Sequence, residues 1–598
     1  MSIISKSFLA QVLYLCVSLE GANAWCSQTF TPNHVIRDVY DHYRSYSRSP
    51  VPVINMISSE RNIKWQRSSK SSSQLESDKH HHRQISVTHV LKAIKVSKLK
   101  TLLQTVFCLF MTRAQRLLWP GFWNYDPNVD APLPPGAPLG CPFFGNNILA
   151  GSTKEGPELF YSQASKRLGH PSIWRFYFMG SPVISVTGSK NVNNVLQNKK
   201  FNIVPIAGPD DDTKDRVQER RKQNALYSSN SVMFEKDTER HLFLRHLVGA
   251  AFLPNVVKKG MDTIVQAAKE QIVIVKSGKL VNMKDLCEKF TLDIAWRQIL
   301  GLDLKDADEI KKFHKAVNTY VSGIFSIAAY IRNFPGKTLL PPFQARMYLV
   351  SKIKERIQYL QVHGPDGSTL SAMLFSTHEK SNQRLSVDDI IENALILLVA
   401  GTETTASTLT SAMYFLGLHP LIFDKLKDEQ NEIVSVLGSD LNQEILGRCH
   451  YLEAFILETM RVVPLSGVNL RKAEETIVLD GKQIPKGTPV FCNIRLTHEL
   501  DPKTSSMNCL EGFKPERWLD SKKKPADDFI PFGTGSRRCL GASLAMTEMR
   551  VFMSTFIRSV DGFDLVCDTL ENGRSISLWN PSSIIPKPKD GVPILVRT

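Results

Sequence analysis

Between Ser386 and Pro420 the chain reads VDDIIENALILLVAGTETTASTLTSAMYFLGL, about 32 residues with no proline and with apolar side chains on every face. At 1.5 Å per residue a helix of that length spans ~48 Å, enough to cross a whole domain. Ser386 followed three residues later by Asp389 has the form of a capping box, and Pro420 marks the stop. A helix that is apolar all round has to be buried, so the rest of the fold must enclose this one. Its middle, Ala400-Gly401-Thr402-Glu403-Thr404-Thr405, is poor helix chemistry. Glycine costs about 1 kcal/mol relative to alanine there, threonine hydroxyls bond back to the backbone and bend the helix, and a buried glutamate needs a partner. Such a local violation marks a functional site. The packing alternative is a glycine that admits a close helix crossing and a glutamate that reaches solvent.

Composition narrows the class. With 598 residues, 42% apolar and 22% charged, the chain is globular rather than disordered or fibrous. Its ten cysteines contain no CxxC and no regular spacing, which argues against a disulfide scaffold or a structural zinc site. The formal charge of +16 is concentrated: residues 25 to 120 hold 15 Lys or Arg against 5 Asp or Glu. That distribution points to a targeting or membrane-proximal segment and away from a nucleic-acid surface.

The first 130 residues divide into three layers. Residues 1–24 read as a signal peptide, with the apolar run FLAQVLYLCVSL ahead of Ala22-Asn23-Ala24. Residues 25–98 are basic and Ser-rich, of transit-peptide or disordered character, and include a triple-histidine tract at 80–82 read as a solvated run. Together they resemble the bipartite presequence of complex plastids, with Trp25 after the cleavage site; the alternative is an endoplasmic-reticulum signal followed by a disordered tail. Residues 99–130 read as an amphipathic or membrane-proximal anchor and linker, since the apolar core of 99–123 is shorter than the ~20 residues a spanning helix needs. The Pro- and Gly-rich APLPPGAPLG opens the main domain, residues 131–598.

That domain reads as mainly α with small β-sheets, with hairpins expected in 174–188 and 476–492. No Walker, HExxH, GxSxG or strand-to-helix GxGxxG motif is present, so no nucleotide site of its own is expected. A helix over 450–464 places Glu458 and Arg461 on one face, and Arg517 in PERW is a further cation that could complete a carboxylate network. In FGTGSRRCLG a cysteine, Cys539, precedes an apparent helix whose amides point back at the sulfur, a setting that favours thiolate. Glycines around it permit close approach of a flat macrocycle, Arg537 can pair a carboxylate, and no histidine lies nearby as a base. This combination suits a haem on an axial thiolate better than a nucleophilic cysteine.

The pattern Phe532-x-x-Gly535-x-Arg537-x-Cys539-x-Gly541 resembles the haem-binding loop of the cytochrome P450 family, and a chance match in a chain of this length has odds of about two in ten thousand. AGTETT resembles the family's oxygen-activating helix, ETMR its Glu-x-x-Arg helix, PERW the following arginine loop and APLPPGAPLG its proline-rich hinge, all in the family's order. The resemblance implies the P450 fold, a long central helix over a haem held by a Cys loop, and haem b as cofactor. It implies Cys539 as the iron ligand, Thr404 and Glu403 as the proton relay and Gly401 as the groove for dioxygen. Glu458, Arg461 and Arg517 become structural. Arg537, Arg471, His241 and Arg245 become the propionate partners, His241 standing where many relatives have tryptophan.

The stretch from YLEAF to HELDP is similar to the branch holding retinoic-acid hydroxylases, plant steroid oxidases and cyanobacterial relatives, which act on isoprenoids. The implied activity is insertion of one oxygen atom from O2 into a lipophilic substrate, with Leu397, Ala400 and residues 465–468 lining the pocket. Electrons come from a separate donor, ferredoxin or an NADPH-dependent reductase, and the enzyme works at a membrane surface. A desaturase or isomerase on the same haem, or a haem-binding protein without turnover, are the competing readings. The charged insertion 207–224 reads as a solvated lid, and Arg538 as a docking contact for an acidic electron donor.

Overall fold

The computed structural model describes residues 125–136, 157–178, 181–203, 226, 230–275, 279–324, 337–501, 511–520, 529–566, 588 and 590–597. The chain divides into two units, Met1–Phe107 and Cys108–Thr598, and every described residue lies in the second. The presequence layers, the anchor at 99–123 and the lid at 207–224 fall outside the described residues, as do the last four residues of the hinge.

Ten helices position the site: α1 Ser189–Gln197, α2 Thr238–Gly249, α3 Met261–Val275, α4 Met283–Ile294, α5 Ala307–Ile324, α6 Pro341–His363, α7 Val387–Leu418, α8 Pro420–Leu437, α9 His450–Val462 and α10 Ala542–Ser559. Helix α7 starts and stops where its sequence signals stand. The Ser386 hydroxyl accepts from the Asp389 amide at 3.1 Å, the Asp389 carboxylate accepts from the Ser386 amide, and α8 begins directly at Pro420. Helices α4, α5, α6, α8, α9 and α10 all pack on α7, so its apolar residues from Ile390 to Leu416, the exposed Ala400 excepted, lie in the main core. The hydroxyls of Thr402, Thr404, Thr408 and Thr410 each bond back to the carbonyl four residues earlier. That internal pairing is how so hydroxyl-rich a helix can be buried.

Both expected hairpins form. Strands β1 Ile173–Phe178 and β2 Ser181–Val186 pair antiparallel; β3 is Phe201–Asn202 and β4 Leu280–Asn282. With β5 Val468–Ala473, β6 Ile477–Leu479, β7 Lys482–Ile484 and β8 Pro489–Asn493, the order of the main sheet is β1-β2-β8-β5-β3. Strands β6 and β7 form their own hairpin around Asp480 and Gly481, both at positive φ as a tight two-residue turn requires. Strand β8 leaves that hairpin to run parallel to β2, a long-range pairing the local alternation could not reveal. Alternation covers both faces of the sheet: Ile184, Val186, Val490 and Cys492 face one apolar cluster, and Val183, Trp174, Phe176 and Phe491 the other. A third sheet joins β4, β10 Pro593–Arg597 and β9 Gly562–Leu565. No helix among the described residues is long and apolar enough to cross a membrane.

Candidate active site

Cys539 stands three residues ahead of α10, and its amide donates to the Phe532 carbonyl at 2.9 Å, closing the loop on itself. It is the exposed member of the four described free cysteines; Cys287, Cys449 and Cys492 are buried. The sulfur is reachable yet ringed by protein, and burial pushes its thiol up. The Gly541 backbone amide, Arg245 and Arg538 work against that shift and favour the thiolate. Cys492, by contrast, is pushed up to about 12 by burial and stays a packing thiol.

Four basic side chains converge from three elements. His241 and Arg245 sit one turn apart on α2, Arg471 on β5 and Arg537 in the Cys loop. Burial first, then the charges of Arg537, Arg245 and Arg471, push His241 down to about 4. Burial and the charges of Arg471 and Arg245 likewise push Arg537 down to about 10, and burial lowers Arg471 and Arg245. The nearby acid, Glu235, already accepts the Asp237 amide at 3.0 Å. The charges of Arg471 and Arg245 lower the proton affinity of both His241 and Arg537, which makes the cluster a receptor for an anion.

Arg537 also does something the motif did not reveal. Its guanidinium donates to the carbonyls of Val232 and Glu235 at 3.2 and 2.5 Å, so it ties the 232–235 loop to the Cys loop. The Val232 amide in turn donates to Asn393 of α7 at 2.8 Å, and Asn393 is fully buried. Gly535 differs from its expected purpose in a similar way. Its φ is +71°, and a Cβ there would lie 2.9 Å from the Leu196 carbonyl oxygen at the end of α1. The clearance visible at Gly535 is for protein backbone, whereas at Gly541 an added Cβ would meet only the Phe252 ring at 3.8 Å. Phe532 is half-buried against the main core.

On α7, Ala400 and Thr404 lie one turn apart and are both accessible, Glu403 is half-buried, and Leu397 is buried. The Thr404 hydroxyl donates to the Ala400 carbonyl at 2.6 Å. Gly401 lies against the π-turn that continues α4, and a Cβ on it would come within 3.1 Å of the Ile299 side chain. The close-crossing reading of this glycine therefore holds beside any role with dioxygen. At 465–468, Ser466 is exposed and its neighbours are half-buried.

Behind the loop, Glu458 of α9 is fully buried and accepts five hydrogen bonds. Arg461 binds it with Nε at 2.9 Å and Nη2 at 2.8 Å, Arg517 Nε at 3.1 Å, the Lys514 amide at 2.8 Å and Trp518 Nε1 at 2.9 Å. Trp518 went unread in the sequence although it ends the very PERW that supplied Arg517. His498 was also missed. Its Nε2 accepts from the Ile530 amide at 3.4 Å, which leaves Nδ1 as the donor to the Arg461 carbonyl at 3.2 Å and links the carboxylate network to the strand of chain entering the Cys loop.

Residues 134–590 match the family model described as Cytochrome P450. Cytochrome P450 26B1 of Xenopus tropicalis is 26% identical over 506 residues, covering 81% of this chain and 93% of that protein. Beta-amyrin 11-oxidase of Glycyrrhiza uralensis is 28% identical over 459 residues, covering 73% and 87%. Among solved structures, retinoic acid-bound cyanobacterial CYP120A1 aligns with a TM-score of 0.63 over 78% of this chain and 100% of that one, at 24% identity, a likeness of fold.

Proposed function

The chain belongs to the cytochrome P450 family, and from that premise we propose that Cys539 is the thiolate ligand of a haem b with which the protein inserts one atom of O2 into a lipophilic isoprenoid. The observation that carries the assignment is an exposed cysteine three residues ahead of α10, in a loop closed by its own amide on the Phe532 carbonyl, beside Arg245, Arg471, Arg537 and His241, a set suited to two propionates. The donor set fits haem: a soft sulfur ligand for iron, and three arginines beside it for the propionates. When bound, haem supplies the one-electron and O2 chemistry. Its electrons come from a separate redox donor, ferredoxin or an NADPH-dependent reductase in our reading.

The protein's own share is positioning and proton handling. Arg245, Arg471, Arg537 and His241 receive the propionates, and the Gly541 N–H and the α10 N-terminus temper the sulfur's charge. Thr404 and Glu403 carry protons to the substrate side of the site, Thr404 by releasing its bond to the Ala400 carbonyl. Thr404→Val is expected to leave electron consumption largely intact while product per electron pair falls about tenfold or more, because proton delivery is lost but binding is not. Measuring donor oxidation against product decides it; an unchanged ratio removes Thr404 from the relay.

His241 yields a pH prediction. The unfolded histidine protonates at its ordinary value near 6.5, and the folded one resists until about 4. The haem-free protein therefore loses up to about 3 kcal/mol of stability as pH falls from about 6.5 towards 4. Urea midpoints across that window check this, and His241→Asn should flatten the dependence; an unaltered slope in the variant rejects it.

For the substrate class, Beta-amyrin 11-oxidase is named for a triterpenoid and CYP120A1 was solved with retinoic acid, both isoprenoids. A binding-spectrum screen of retinoids, triterpenes, sterols, carotenoids and fatty acids against the purified holoprotein tests this reading, and a response to fatty acids alone overturns it. The reduced CO complex should absorb near about 450 nm, and a band near about 420 nm in folded protein would count against the thiolate. Labelled O2 separates oxygen insertion from desaturation. We place the enzyme at a membrane surface, in a plastid or the endoplasmic reticulum, which a fluorescent fusion of residues 1–130 distinguishes.

A further inference from the structure

We propose that Asn393 is a positioning residue for the propionate-receiving cluster, holding the Arg537 guanidinium in place through the backbone of residues 232–235, an inference that rests on the haem-thiolate reading above. Asn393 stands in the second turn of α7 and is fully buried. Its Oδ1 accepts the Val232 amide at 2.8 Å, and its Nδ2 donates to the Asp389 carbonyl at 2.7 Å and to the Asn230 carbonyl at 3.4 Å. The Val232 carbonyl, together with that of Glu235, then receives Arg537 at 3.2 and 2.5 Å. One buried side-chain amide thus connects the central helix to the loop that carries Cys539. A second tie lies close by: Arg240 Nη2 donates to Asp389 Oδ1 at 2.6 Å, and Asp389 is 5% exposed. The start of α7 therefore grips residues 232–240 at both ends, and that segment leads directly into His241.

A side-chain amide in the apolar run IIENALILLV carries a desolvation cost that a leucine would not. Helix α7 also has a more local way to satisfy polar groups, since Thr402, Thr404, Thr408 and Thr410 bond back to the carbonyl four residues earlier. Asn393 does the same with Nδ2 and gives its oxygen to the loop instead. The amides of Phe234 and Glu235 both close on the Ser231 carbonyl at 3.0 Å, so the loop is a tight turn whose carbonyls move with the Val232 amide. Arg537 needs that hold, because the like charges of Arg471 and Arg245 repel it. With two of its nitrogens on fixed carbonyls, the planar guanidinium has one orientation in which to meet a carboxylate.

The test uses the full-length holoprotein and reads the ferric–ferrous equilibrium of the haem against a redox dye, with neither substrate nor reductase. Reduction adds one negative charge, so a cation fixed beside the propionates favours the reduced form. Asn393→Thr nearly keeps the volume, and its hydroxyl can bond back to the Asp389 carbonyl as the other α7 threonines do, but it gives up Val232. In that variant the reduction equilibrium constant should fall about three- to tenfold, with the band near about 450 nm retained. Arg537→Leu should lower it at least as far, and the double variant no further than Arg537→Leu. The Val232 amide should exchange faster in Asn393→Thr, a readout independent of the haem. Where either single variant takes up no haem, Asn393→Ser and Arg537→Lys carry the comparison. A reduction equilibrium untouched while the Val232 amide quickens, an amide that does not quicken, or effects that add in the double variant overturn the positioning role. A wild-type protein lacking the band near about 450 nm overturns the haem-thiolate reading beneath it, and the two failures are therefore distinct.

Discussion

Cys539→Ser is expected to abolish the band near about 450 nm and to lower turnover by about a thousandfold or more, while leaving the fold of the haem-free protein within about 1 kcal/mol of wild type. Serine keeps the volume, so the loop, closed by the Cys539 amide on the Phe532 carbonyl, has no reason to rearrange. What disappears is a soft, polarizable anion, because a serine hydroxyl stays protonated where a thiol beside Arg245 and Arg538 can ionise. Haem retained without the band separates ligation from cofactor binding, since the cationic cluster at His241, Arg245, Arg471 and Arg537 is untouched. Cys287→Ala and Cys449→Ala are the controls: both thiols are buried and pushed up by burial, so their loss costs packing and leaves the band in place. A 450 nm band surviving in Cys539→Ser would move the ligand elsewhere.

What could be read from the residues and what could not divides along sequence distance. Helix α7 was legible end to end because its signals are local: a cap three residues from its partner, an apolar run and a proline. The Cys loop was legible because its spacing is rigid. The bond from Arg537 to the carbonyls of Val232 and Glu235 was not, since it joins positions about 300 residues apart through backbone atoms that every residue possesses. Asn393 was hidden in the apolar run around it, and its role emerges only when the Val232 amide is found on its side chain. Gly535 carries a constraint of the same long-range kind, because the carbonyl of Leu196 at a neighbouring helix terminus stands where its Cβ would be.

Removing the carboxylate at Glu458 should have the largest effect on the fold. Arg461 and Arg517 are 1% and 7% exposed, and Glu458 is the acid that compensates both at distances of 2.8 to 3.1 Å. Glu458→Leu would strip this carboxylate from two buried guanidinium groups, which keep the Gly512 carbonyl, and would remove the acceptor of the Lys514 amide and the Trp518 indole N–H; breaking a buried pair in this way costs about 3–5 kcal/mol. Glu458→Gln keeps the shape but can serve as acceptor through one oxygen only, so most of that loss should persist. The damage should reach the iron site through His498, which bridges the Arg461 carbonyl to the Ile530 amide two residues before Phe532. The expected result is a urea midpoint lowered enough that little haem-loaded protein accumulates, with whatever does load still showing the band near about 450 nm. Arg517→Leu, which removes one cation and leaves the bidentate Arg461 pair, should be milder. Wild-type stability in Glu458→Leu, or a spectral shift with full haem loading, would mean that the network serves the chemistry directly and not through the loop's scaffold.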